Sequence, residues 1–267
     1  MAAITGLADQ RRARVMVNVV RAHCPENDLN QPEMRLAAIY DSVHRGRGDL
    51  APYVDIVTEF SARKILDIGC GTGTFALMLA SRGYDVIGLE PNSAWLEWAR
   101  SKPGADKVRW VVGDVGALTD DVCVDLVAMT ANTAQAIVDP QGWEATLDRA
   151  RIALNPQGNL VFETRVPTAR AWDNWTREHT FATFDVAALG LVARWCEVVE
   201  VELPLVTFRW ITQFLPDRTE VAVESTIRFR DRAEVANDLA THGFLVHEVR
   251  EAPDRFGREW VFLARPR

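Results

Sequence analysis

Three acidic residues and one run of glycines carry the chemistry that can be read from this chain. Asp67 lies in KILDIGCGTGTFALMLA (64–80), where Gly69, Gly71 and Gly73 alternate with Cys70 and Thr72. Glycines there allow positive φ and let a ligand approach the main chain closely. Glu90 ends the stretch GYDVIGLEP (83–91), 17 residues past Gly73. A carboxylate is the side chain that offers two adjacent acceptors to a cis-diol such as a ribose. Asp114 follows VRWVVG (108–113). Each acid comes at the end of an apolar run, an arrangement that three separate helix caps do not readily explain.

The apolar runs define the elements that must position these groups. Ile65, Leu66 and Ile68 read as a central parallel strand covered on both faces, and Phe75, Leu77, Met78 and Leu79 resume a helical pattern after the glycines. Val86, Ile87 and Leu89 form a second strand, and Pro91-Asn92 opens the next helix. A third strand ends at Gly113-Asp114-Val115. Val122 to Ala128 is a fourth strand, followed by MTANTAQAI. In an open α/β sheet ligands bind past the carboxyl ends of the strands, so Thr130, Asn132 and Gln135 are candidate pocket residues. Asn132 and Gln135 serve equally well as helix-capping amides. A helix over Trp143–Leu154 ends at Asn155-Pro156-Gln157-Gly158, and a fifth strand runs from Leu160 to Glu163. Glu163 and Arg165 leave it beside the pocket, where they pair with each other or hold a zwitterionic or acidic substrate.

Two cofactor classes fit the glycine turn. From Gly71 the string GTGTFA matches G-x-G-x-x-A, the dinucleotide fingerprint. Asp67 opposes that reading, because a diphosphate there would face a fixed carboxylate in a partly desolvated site. S-adenosylmethionine (SAM) carries a sulfonium and an ammonium instead, and both favour an adjacent anion.

LDIGCGTG resembles motif I of the class I SAM-dependent methyltransferases, and the order of the following segments is similar to theirs. The resemblance covers residues 36–267. It implies an α/β, Rossmann-like fold: a seven-stranded, mostly parallel sheet, helices on both faces, and a small antiparallel β insertion after the fifth strand. It implies that Gly69, Cys70 and Gly71 wrap the methionine part of SAM, and that Asp67 holds its amino group directly or through water. By the same resemblance Glu90 and Pro91 sit at the ribose, Asp114 accepts from the adenine amine, the Val115 amide meets a ring nitrogen, and Thr130 borders the cofactor. The pair Tyr40-Asp41, before motif I, resembles the N-terminal lid of small-molecule methyltransferases, where such a tyrosine faces the active site. The strings MTAN, VFETRVP and APDRFGREWVFLARP also resemble a bacterial group of methyltransferases without named substrates.

The remaining segments are assigned by pattern. Residues 1–35 form an N-terminal extension with a possible helix over Asp9–His23. Helices are expected over Glu33–Val43 and Leu50–Phe60, with a glycine-containing loop carrying His44 between them. Residues 36–165 and 231–267 make the core, and 166–230 an inserted substrate cap. The cap is expected to hold a helix with Trp172 and Trp175, and β runs over Glu197–Leu205, Val206–Leu215 and Val221–Arg230. A helix over Asp231–His242 ends at Gly243, and two strands, Phe244–Arg250 and Glu259–Ala264, close the chain.

Composition narrows the function. The 267 residues are 48% hydrophobic with a net charge of −7, and no Lys/Arg run exceeds two residues, which disfavours nucleic acid as a partner. The missing N/D-P-P-Y/F string after the fourth strand further argues against a nucleobase amino-methyltransferase. Cys24, Cys70, Cys123 and Cys196 lack metal-site spacing, so no metal and a reducing compartment are expected. No signal-peptide pattern or membrane-length apolar run occurs. The expectation is a cytoplasmic enzyme, monomeric or homodimeric, that uses SAM to methylate a small-molecule acceptor by in-line transfer. His44 and His179 are the candidate bases should the nucleophile be a hydroxyl; an amine needs none. A non-catalytic SAM-binding module and, further off, an NAD-dependent oxidoreductase are the alternatives.

Overall fold

The computed structural model describes residues 32–44, 46–187 and 189–267. The expected helix over Asp9–His23, and with it most of the N-terminal extension, lies outside the described residues. The described chain opens with α1 (Pro32–Val43) and α2 (Ala51–Glu59). Strand β1 (Lys64–Ile68), α3 (Thr74–Ala80), β2 (Asp85–Glu90), α4 (Ser93–Arg100), β3 (Val108–Val112) and β4 (Val124–Met129) then alternate. After α5 (Thr133–Ala136), α6 (Pro140–Ala153) and β5 (Leu154–Arg165) comes the insertion: α7 (Arg177–Thr180), β6 (Ala182–Val186), β7 (Gly190–Glu202), β8 (Leu205–Phe214) and β9 (Glu220–Arg228). Helix α8 (Arg232–Thr241), β10 (Phe244–Glu251) and β11 (Glu259–Pro266) complete it.

The main sheet has seven strands in the order β10-β11-β5-β4-β1-β2-β3. Only β11 runs antiparallel to its neighbours. Period-two alternation sends successive residues into two core layers. Leu66, Val127, Phe162 and Phe262 pack on one face with Trp143 of α6 and Leu239 of α8. Ile65, Leu126, Val161 and Val261 pack on the other with α2 and α3, through Val57, Phe75 and Leu79. The order reverses between β1 and β4, and a crevice opens at such a switch point beyond the strand ends. The fold is the expected Rossmann-like α/β architecture.

The insertion forms a separate antiparallel sheet, β6-β7-β8-β9. It holds one strand more than the sequence suggests: β6 was missed, and β7 begins at Gly190 rather than Glu197. Polar Arg194 and aromatic Trp195 sit inside that longer strand and blur its alternation. The expected helix around Trp172 and Trp175 is instead a pair of short 3₁₀ turns over 167–169 and 171–174. The two tryptophans are held by aromatic packing rather than helical periodicity: Trp172 lies 4.7 Å from Phe229, and Trp175 4.8 Å from Phe208. In β5, Leu154 already pairs with Val124; the chain then bulges through 155–158 and resumes pairing at Asn159. Helix α1 packs on the inserted sheet, Ile39 meeting Val192 and Phe214.

Phe162 is fully buried, stacked 5.4 Å from Phe262 and edge-on to Trp143 at 5.7 Å. Phe162→Ala leaves a cavity in the layer under α6 and is expected to lower stability by about 3–5 kcal/mol, measured as a shift in the guanidinium unfolding midpoint at unchanged slope.

Candidate active site

The glycine turn after β1 is built for close approach. Gly69, Gly71 and Gly73 all adopt positive φ (70°, 57° and 77°). A Cβ on Gly69 would also run into the Thr133 side chain, so that position is closed to any larger residue. The Gly69 and Cys70 amides both donate to the Leu89 carbonyl, at 2.8 and 3.0 Å. Gly71 N–H donates to Glu90 Oε2 and Asn92 N–H to Oε1, each at 2.9 Å. Glu90 thereby ties the turn to the end of β2 and still has lone pairs free on both oxygens.

A cavity of about 650 Å³ opens over this turn. Of the residues expected at a cofactor, Gly69, Cys70, Gly71, Glu90, Pro91, Asp114, Val115 and Thr130 line it. Tyr40 and Asn132 line it too. Asp114 borders the cavity, and its carboxylate accepts from Gly116 N–H at 2.9 Å, capping the next turn.

Asp67 is fully buried behind the turn, and neither carboxylate oxygen has a hydrogen-bond partner. Burial, with the Glu90 charge adding to it, pushes its pKa up to about 8. Glu163 is likewise buried, accepting from Asn132 N–H at 2.7 Å through Oε1, while Oε2 is unpartnered. Burial raises it to about 7, opposed by the neighbouring Tyr53 hydroxyl.

The remaining candidates are placed elsewhere. Gln135 is completely buried, accepting from Arg165 Nη1 at 3.0 Å and donating to the Arg228 carbonyl at 3.2 Å, so it serves the framework and does not line the cavity. Arg165 does not pair with Glu163. It faces Glu259 at 3.8 Å and lies over Trp175. His179 is exposed in α7 and bonds Thr176. His44 stacks on Tyr40 with ring centroids 4.5 Å apart; partial burial and then the Arg47 and Arg194 charges lower its pKa to about 4. It is uncharged at neutral pH.

Sequence reasoning gave Asp41 no role beyond its pairing with Tyr40 and missed Glu259 and Arg47. Asp41 accepts from Thr72 Oγ1 (2.6 Å) and Trp98 Nε1 (2.7 Å) and pairs with Lys102 (2.5 Å), so it fastens α1 to the glycine turn and to α4. Its place beside Tyr40 was the available signal. Glu259 accepts from Asn132 Nδ2 and Arg255, both at 2.7 Å. Arg47 lines the cavity while bonded to Asp49 at 2.9 Å.

The arrangement is one for an adenosyl ligand bearing positive charge. Glycines admit a ligand, Glu90 keeps free acceptors toward the cavity, and Asp67 is a buried carboxyl that no cation among the described residues pairs with. The unpartnered oxygens of Asp67 fit the ammonium of SAM and oppose a diphosphate. Among the described residues no cluster of metal-binding side chains occurs, and no helix is long and apolar enough to cross a membrane.

Comparison with known proteins agrees with that class. Residues 65–158 match the family described as a methyltransferase domain. The cypemycin N-terminal methyltransferase of Streptomyces sp is 33% identical over 84 residues, covering 32% of this chain and 34% of that protein. The biotin biosynthesis bifunctional protein BioHC of Cellvibrio japonicus is 40% identical over 162 residues, covering 55% and 30%. The chain thus spans about a third of the length of these curated relatives. An amino pentose methyltransferase from Micromonospora echinaspora, solved with SAM bound, superposes with a TM-score of 0.66 at 23% identity, over 85% of this chain and 96% of that one; this likeness is one of fold. Residues 65–158 are thus similar to a methyltransferase domain, and the fold is that of solved SAM-dependent methyltransferases.

Unfolded, the carboxyls of Asp67 and Glu163 titrate at about 4; folded, they keep their protons to about 8 and about 7. The folded state therefore binds more protons between these limits, and the contribution of both groups to stability is lost as pH rises through about 4 to 8. The ligand-free protein is expected to show this fall in its thermal unfolding midpoint, and Asp67→Asn to flatten the section above pH 7.

Proposed function

We propose that this protein is a cytoplasmic methyltransferase that moves the methyl group of SAM to a small-molecule acceptor. The observation that carries the reading is the buried, unpartnered carboxylate of Asp67 beneath a cavity entered past the glycine turn and Glu90. A buried carboxyl there, which holds its proton until a cation compensates it, favours a cationic cofactor over a dinucleotide.

In this reading Asp67 compensates the ammonium, Glu90 accepts from the ribose hydroxyls, and Asp114 with the Val115 amide borders the adenine. Bound SAM supplies an activated methyl carbon whose leaving group is a neutral thioether. The chain's own task is then alignment and exclusion of water. Tyr40, tilted against the His44 ring and 5.3 Å from Trp95, borders the cavity on the side of α1. Asn132 stands at the other side and is held by two buried carboxylates. The net charge of −7 supports a small acceptor over nucleic acid. The buried, unpaired Cys70 and Cys196 are compatible with a reducing cytoplasm.

Calorimetric titration with SAM is expected to give one site per chain, and Asp67→Asn to weaken it by about 10- to 100-fold through loss of a charge-assisted contact. Transfer of labelled methyl from SAM into a metabolite extract separates an enzyme from a pure binder. No heat with SAM, or tighter binding of NADH than of SAM, overturns the proposal.

A further inference from the structure

Among the described residues, the Arg194 guanidinium of the inserted sheet has no ion-pair partner. Arg194 of β7 pairs across the sheet with Ala182 and with Thr212, and Cys196 with Trp210 follows on the same face. That face is the inner one. Toward one end its Val192 and Phe214 pack on Ile39 of α1, and toward the other Val206 and Phe208 pack with Trp172 and Phe229. Arg194 and Thr212 are thus a polar band between two apolar clusters.

The guanidinium carbon of Arg194 lies 4.2 Å from the centroid of the Trp210 ring. Stacking of this kind holds the plane flat and leaves the N–H groups pointing along its edges. Nε is buried and has no hydrogen-bond partner. Among the described residues no carboxylate forms an ion pair with Arg194, whereas the neighbouring arginines are matched: Arg47 to Asp49, and Arg165 and Arg255 to Glu259. The groups within electrostatic reach are Tyr40, which lines the cavity, His44 and Cys196; burial keeps His44 and Cys196 uncharged at neutral pH. Burial lowers Arg194 to about 10, which leaves it charged. A desolvated cation without an anion is a costly element to retain for packing alone.

We propose that Arg194 is the anchor for an oxyanion group on the methyl acceptor, so that the acceptor is an anionic small molecule, a carboxylate or a phosphate ester, seated between the inserted sheet and α1. Its charged end meets the Arg194 fork beside Thr212, and its nucleophile reaches past Tyr40 toward the cavity. A guanidinium edge suits both oxyanions, since each offers two oxygens to parallel N–H donors. The proposal rests on the methyl-transfer reading and names the substrate class for it.

The test uses protein saturated with S-adenosylhomocysteine and follows the thermal midpoint on titration with inorganic phosphate or acetate, with chloride at matched ionic strength as reference. At least one oxyanion is expected to raise the midpoint saturably, and Arg194→Met to weaken its apparent affinity about tenfold or more, with Arg194→Lys in between. Phosphate above acetate assigns a phosphate ester, the reverse a carboxylate, and equal effects the shared class. Should Arg194→Met fail to unfold cooperatively, Arg194→Lys and Arg194→Gln carry the comparison. Neither oxyanion exceeding chloride, or equal binding to wild type and variants, overturns the assignment while SAM binding stands. Failure of SAM to bind the wild-type protein overturns the methyl-transfer reading itself.

Discussion

A carboxylate buried without a partner at the end of the central strand is the constraint around which this structure is arranged. Asp67 is held by β1, whose Ile65, Leu66 and Ile68 are locked into two core layers, and it is itself fully buried. Burying an ion alone is unfavourable by several kcal/mol, and the group answers by holding its proton. The surroundings sharpen the situation: Glu90 and Glu163 add like charge, and Arg47 is the cation that opposes it. Such a site stores free energy that a cationic ligand releases on arrival. Stability and affinity are therefore set against one another at a single residue.

The walls of the cavity show the same trade. Ala131 and Asn132 both take left-handed conformations, φ 57° and 62°, which costs roughly 1–2 kcal/mol for each residue with a Cβ. Two buried carboxylates hold this turn in place, Glu163 on the Asn132 amide and Glu259 on its side chain. The turn is also fastened to the inserted sheet. Gln135 reaches the Arg228 carbonyl, and Arg230 donates to the carbonyls of Ala134 and Ile137 at 3.0 and 2.8 Å. The cavity wall and the last strand of the insertion consequently share one hydrogen-bond network, so a displacement of either is felt by the other.

What could be read in the chain beforehand follows from this division. The glycine turn and the acids after it were legible because local rules decide them: positive φ demands glycine, and a strand's end is set by its apolar run. Gln135 and Arg165 were not legible. They lie near the right strand ends, but the left-handed turn at Ala131 and Asn132 sends Gln135 inward, and Glu259, almost a hundred residues further on, claims Arg165. Nothing local announces such a partner. Asp41 was half legible: its neighbour Tyr40 marked the segment, while its three contacts come from Thr72, Trp98 and Lys102 on other elements. In the insertion, β6 escaped notice because its alternation over five residues is too short to stand out.

The charge pattern also gives the site a direction. The floor, at the ends of β1, β2 and β5, is acidic through Asp67, Glu90 and Glu163; the inner face of the insertion presents Arg194. A cationic ligand is drawn to the floor and an anionic group to the roof. Two ligands of opposite charge entering this space would therefore sort themselves end to end, with the reacting groups meeting near Tyr40 and Asn132. Alignment of that kind needs no titrating side chain at the point of reaction, which agrees with a His44 that is uncharged and a His179 that is remote.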